Sequence, residues 1–204
     1  PAPGDQARAR LAPSNDVASE RARTRAHRAV ARPVGSWVAL LSLVPSTMLP
    51  RLDVGCYNDD ATYAIAAKSL LQGRYASLQL PGEPALNHFM PGLPLLLAPV
   101  VALAAPHWAW LKLVPWLCSL VSLALLWRLG DGLKAPARLA WLGLCAANPT
   151  LAACSGSVMS EPLFLALALG SGLGLKLLLE KETPGRACAA SILLAWAALT
   201  RPEG

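Results

Sequence analysis

The chain has 204 residues, 54% of them hydrophobic and only 15% charged, with a mean hydropathy of +0.43. That balance excludes a disordered chain and argues against a soluble enzyme. Eighteen prolines and fifteen glycines, set between leucine- and alanine-rich runs, exclude collagen-like and linker-like sequence as well. An integral membrane protein remains. The sequence opens at Pro1 and stops at Gly204 directly after an apolar run, so it is expected to be a piece of a longer protein. The net charge of +6 does not point to nucleic acid, because the positive residues collect by segment and are not interleaved with aromatic ones. Five cysteines with no Cys-x-x-Cys spacing and no histidine close by imply neither a disulfide framework nor a zinc site.

Residues 1–33 carry Arg8, Arg10, Arg21, Arg23, Arg25, Arg28 and Arg32 against Asp5, Asp16 and Glu20, with almost no bulky apolar side chain. This is a solvated basic tail on the cytoplasmic side; the three acids and the lack of a small-x-small cleavage site argue against an organelle transit segment. Apolar runs follow at 34–50, 91–106, 108–127, 139–154, 162–179 and 187–200. A bilayer core of about 30 Å needs about 17–25 helical residues. The runs at 108–127 and 162–179 suffice, and those at 34–50, 139–154 and 187–200 are marginal. The run at 91–106 is short and broken by Pro91, Pro94, Pro99 and Pro106.

Cytoplasmic loops collect Lys and Arg. The tail, the loop with Arg128, Lys134 and Arg138, and the loop with Lys176, Lys181 and Arg186 therefore belong on one side. The parity works only if 91–106 does not cross. The expectation is an all-α, polytopic transmembrane helix bundle of about five spans, with a first outer loop carrying interfacial helices, built from a tail at 1–33 and a transmembrane part at 34–204. Residues 51–106, 155–161 and 201–204 then share the outer side. Lys112, a turn inside its span, is expected to snorkel outward.

In the first outer loop, Tyr63, Ala66, Ala67, Leu70 and Leu71 follow helical spacing toward a C-capping Gly73, on a helix expected to lie flat on the membrane. Asn58 or Asp59 caps its start, or a carboxylate of Asp59 or Asp60 acts as base or ligand; two adjacent acids do not face the same way. Glu161 is a single carboxylate after a charge-free stretch, with Ser160 as N-cap and Pro162 in the first turn. It serves as a capped helix start or, as an acid where apolar helices meet, as a functional group. His88 is a phosphate or metal ligand or an idle exposed histidine. Arg201 meets a phosphate or anchors its helix end. Asn148-Pro149 reads as a kink. No P-loop, Rossmann fingerprint or nucleophile elbow is present.

Taken in order, Asp-Asp-x-x-Tyr from Asp59, Leu-Leu-x-Gly-x-Tyr from Leu70, the proline-rich run from Pro91 to Pro99, Ser-Glu-Pro-Leu-Phe from Ser160 and Thr-Arg-Pro-Glu-Gly from Thr200 resemble the GT-C membrane glycosyltransferases. The likeness is to the branch of protein O-mannosyltransferases and aminoarabinose transferases, and it spans 34–204. The resemblance implies transfer of a sugar, with inversion, from a polyprenyl- or dolichyl-phosphate donor to an acceptor glycan, lipid or protein at the outer face. The host membrane would be a bacterial inner membrane or the endoplasmic reticulum. It further implies Asp59 as catalytic base, Asp60 as its acidic neighbour, Glu161 as the acid of the second outer loop, and Tyr63, His88 and Arg201 as substrate-binding residues. Some relatives carry Lys or Tyr before the proline pair where this chain has His88, Phe89 and Met90. No cofactor is called for, and no metal site is assigned, although a divalent ion between Asp59 and Glu161 is left open. The competing readings are a transporter or flippase for a lipid-linked or small solute, and a structural subunit.

Overall fold

Leucine- and alanine-rich runs jointed by proline and glycine form helices throughout, and among the described residues there is no strand, only an isolated antiparallel bridge between Ala76 and Ala85. The computed structural model describes residues 43–47, 54–55, 58–104 and 107–201. The tail at 1–33 and most of the run at 34–50 lie outside them. The helices are α1 (Leu43–Ser46), α2 (Asn58–Leu71), α3 (Gly92–Ala104), α4 (Leu113–Leu129), α5 (Ala135–Ala146), α6 (Pro149–Ser155), α7 (Glu161–Glu180) and α8 (Pro184–Thr200). Single 3-10 turns at Trp108–Lys112 and Gly130–Gly132 flank α4.

By length and composition, Trp108–Gly132 (25 residues) and Glu161–Glu180 (20 residues) can cross a membrane. The other described helices are shorter. α3, with 13 residues, measures about 20 Å at about 1.5 Å per residue, well under the thickness of a bilayer core. The run at 139–154, expected as one kinked span, is instead two helices. Asn148 turns its side chain back so that Oδ1 accepts the N–H groups of Thr150 (2.9 Å) and Leu151 (3.2 Å), and Pro149 opens α6 without a donor to lose. A capped start, not a kink, is what this Asn-Pro pair encodes.

Lys112 is a second correction. It is buried, at 6% exposure, and does not reach outward. Trp108 and Trp110 at the start of the 3-10 turn are exposed, while Leu111 and Lys112, where it runs into α4, are buried.

α2 covers Ala64, Ala66 and Ala67 with α3. Its start differs from expectation, since Asn58 and Asp59 are already helical and the capping position lies outside the described residues. Its end is as expected: Gly73 adopts φ 74°, with Gly73 N–H bonded to Leu70 O and Arg74 N–H to Ser69 O, a Schellman closure that needs a residue tolerant of positive φ.

α7 packs on both α4 and α8, and it approaches α8 through small residues. A Cβ on Gly174 would sit 3.1 Å from Ala190 Cβ, whereas one on Gly172 meets nothing within 4 Å. Gly174→Leu is expected to force the two helices apart and cost about 1–3 kcal/mol. Thermal unfolding in detergent, with Gly172→Leu as a near-neutral control, measures this.

Candidate functional site

Two acids adjacent on a helix point about 100° apart, and α2 uses the difference. Asp60 faces inward with no exposure. Its Oδ2 accepts the Gly55 N–H at 3.0 Å, and its Oδ1 is buried without a hydrogen-bond partner. Asp59 faces outward, and Tyr63, one turn on, shares its side of the helix.

The loop after α2 is folded back over Tyr63. Ser69 Oγ donates to Arg74 O at 3.0 Å and accepts from Ala76 N at 2.9 Å, Arg74 pairs with Glu83, and Tyr75 OH donates to Phe89 O at 2.9 Å. The last bond holds the His88–Met90 strap in place, with the Phe89 ring edge-on to Tyr63 at 5.3 Å and 88°. α3 then starts against the end of α8: Trp196 Nε1 donates to Gly92 O at 3.1 Å, and Thr200 Oγ1 donates to Trp196 O at 2.8 Å.

Just past that contact the chain becomes extended at Arg201, and Arg201 Nη1 donates to Glu161 Oε1 at 3.1 Å. Of the two roles considered from sequence, this contact fits the anchoring of the helix end, since it ties the end of α8 to the start of α7. Both side chains are more than a third exposed, so the pair is screened and adds at most about 1 kcal/mol to stability. Glu161 Oε2, by contrast, is buried without a hydrogen-bond partner.

These four segments enclose a cavity of about 290 Å³. Asp59, Tyr63, His88, Glu161 and Arg201 line it, so five of the six residues singled out from sequence meet in one place, and Asp60 does not line it. Ser160 and Thr200 line it too. Ser160 holds the N-cap position expected from sequence, its carbonyl accepting the Phe164 N–H at 2.9 Å, but its side chain does not cap. Its backbone is already helical (φ −79°, ψ −19°), it makes no side-chain cap bond, and its hydroxyl, 4% exposed, instead receives the Tyr63 OH at 3.1 Å. Local pattern cannot show that partner, which is 97 residues away in the chain.

Burial pushes the Tyr63 phenol above its ordinary range; the bond to Ser160 opposes this, while the charges of Glu161 and Asp59 push further up and Arg201 pulls down. Tyr75 is pushed up to about 12, first by burial and then by Tyr63. A phenol with a raised folded-state pKa contributes stability that is complete below the unfolded value of about 10 and is lost as pH climbs through the folded value. Alkaline titration of phenolate absorbance is therefore expected to show a late component near pH 12. Tyr75→Phe should remove that component without moving the earlier ones.

A second, mainly apolar cavity of about 320 Å³ lies between α4, α5, α6 and α7, with Leu126, Cys145, Leu151 and Leu165 in its walls. Glu161 lines this cavity as well as the polar one. Among the described residues no three His, Cys, Asp or Glu side chains are grouped closely enough to hold a metal ion. No protein-family model, curated protein or solved structure matches the chain.

Proposed function

We propose that the chain carries the catalytic site of a membrane glycosyltransferase. It moves a sugar from a polyprenyl- or dolichyl-phosphate donor to a hydroxyl acceptor on a glycan, lipid or protein at the outer face of a bacterial inner membrane or the endoplasmic reticulum. The observation that carries this reading is the meeting of a polar cavity and an apolar one at Glu161. A lipid-linked sugar has a polar head and an apolar tail, and the two adjoining spaces suit the two ends. In this reading the basic tail faces the cytoplasm, the chain crosses about five times and α3 lies beside the site. The crossing at 139–154 is then made by the capped pair α5 and α6, and α8 makes a further crossing.

The chemistry asks for three things. An acceptor hydroxyl attacks the anomeric carbon from the side opposite the phosphate, its proton passes to a carboxylate, and the bond to phosphate oxygen breaks with the electron pair leaving on the phosphate, so the configuration inverts. Asp59, exposed and in the cavity wall, takes the proton. Arg201 and His88 supply positive charge and a hydrogen-bond donor for the leaving phosphate, which needs charge stabilisation more than protonation. Glu161 positions the head group between them. Asp60, fully buried, supports the start of α2 through Gly55.

The test is transfer by membranes containing the full chain, supplied with radiolabelled polyprenyl-phosphate sugars. Label passing from lipid to acceptor supports the reading. Donor crossing the bilayer untransferred would replace it with a flippase, and inertness with every sugar offered would remove it.

A further inference from the structure

Tyr63 OH donates to Ser160 Oγ, and this single bond leaves a hydroxyl proton over. Two hydroxyl groups carry two protons, so whichever of the pair donates, one O–H remains. That O–H has no acceptor among the described residues, and because Ser160 makes no capping bond, the helix start does not take it. Ser160 is 4% exposed and lines the polar cavity. A buried donor is rarely left without an acceptor, and the space open to this one is the cavity.

The next residue is in the opposite condition. Glu161 gives Oε1 to Arg201, while Oε2 is buried with no donor. Two consecutive residues that line the cavity therefore carry one donor in want of an acceptor and one buried acceptor in want of a donor. A phosphate oxygen suits only half of this, since it accepts and is repelled by the carboxylate. An alcohol donates and accepts at one atom and suits both.

We infer that Ser160 and Glu161 form a subsite for one hydroxyl group of the bound sugar ring, Ser160 donating to it and Glu161 Oε2 accepting from it, with Tyr63 as the positioning residue that orients the Ser160 hydroxyl. This rests on the glycosyltransferase reading and places the ring at the start of α7, with the phosphate toward His88 and Arg201. A cavity of about 290 Å³ is at the small end of ligand sites, which run from about 300 Å³ upward, and holds one ring rather than a chain of them.

The experiment is equilibrium binding to the full chain in nanodiscs. The probes are polyprenyl-phosphate hexoses, their mono-deoxy analogues and sugar-free polyprenyl phosphate. For the wild type, one deoxy analogue is expected to bind about 10- to 100-fold more weakly than its parent, because its absence strands a donor and an acceptor together. In Ser160→Ala that gap should shrink to about threefold or less, with binding of the sugar-free carrier unchanged. Ser160→Thr, which keeps the hydroxyl, should retain most of the gap, and Tyr63→Phe should narrow it without closing it.

A merely structural serine would weaken all ligands alike. That result, or a gap intact in Ser160→Ala, overturns the inference. Wild-type chain that binds carrier with and without sugar equally well overturns the inference and leaves the lipid-phosphate reading standing. Failure to bind any of the probes removes both.

Discussion

Replacing Asp59 with asparagine is expected to lower sugar transfer about 10²- to 10⁴-fold, the usual contribution of a positioned base, or roughly 3–5 kcal/mol of barrier. The change is nearly isosteric and sits on an exposed helical position, while the contact that supports the start of α2 belongs to its neighbour, whose Oδ2 accepts the Gly55 N–H. Asp59→Asn should therefore insert and unfold like the wild type while losing the chemical step. Asp60→Ala is the complementary variant: it removes a fully buried carboxylate and its bond to Gly55, so its primary effect should be on melting temperature. Initial rates at saturating donor, paired with melting curves for both variants, separate the two roles. Undiminished transfer by Asp59→Asn would end the assignment of this residue as base.

The largest structural effect is expected at Gly92. A Cβ there would lie 2.5 Å from Thr200 Oγ1, 2.7 Å from Leu199 O and 2.8 Å from Leu199 C. Two of these three atoms are backbone and cannot swing aside, so Gly92→Ala must lift α3 off the end of α8 and stretch the bond from Trp196 Nε1 to Gly92 O. Overpacking of this kind costs about 1–3 kcal/mol. The same displacement moves the His88–Met90 strap away from Arg201, so substrate affinity should fall together with the melting temperature. Gly143→Ala is the control, since a Cβ at Gly143 meets nothing within 4 Å and lies inside α5, where alanine is the better helix former. A wild-type melting temperature for Gly92→Ala would show that the α3–α8 contact is looser than its distances imply.

The long elements were legible because leucine-rich runs with proline at one end leave the chain little choice. The run read as 162–179 is a helix from Glu161 to Glu180, and that read as 108–127 continues through 3-10 turns from Trp108 to Gly132. Gly73 was legible for a local reason, its tolerance of positive φ. Features set by distant partners were not. Asn148 becomes a cap because its side chain finds two free amides in the following turn, an outcome that the same Asn-Pro pair shares with a kink on paper. Lys112 is buried where a short 3-10 turn runs into α4, a join that hydropathy reads as plain helix.

Within the candidate site, the helical period alone says that Asp59 and Asp60 diverge, but not which one faces the cavity. The choice of Asp59 came from motif order. The partnership of Ser160 with Tyr63 and that of Arg201 with Glu161 depend on four segments meeting, and no spacing rule reaches across the 97 residues between Tyr63 and Ser160.

The Gly92 contact also sets a schedule for synthesis. Trp196, whose indole closes on Gly92, follows it by 104 residues. At about 5–20 residues per second, roughly 5–20 s pass between the emergence of the two from the ribosome. Throughout that interval the start of α3 lacks the α8 side of its packing, and the strap it carries is held only from the α2 side, by Tyr75 and Tyr63. The pocket is thus completed only when α8 has been made, and a nascent chain released before that point would hold Glu161 without the arginine that pairs with it.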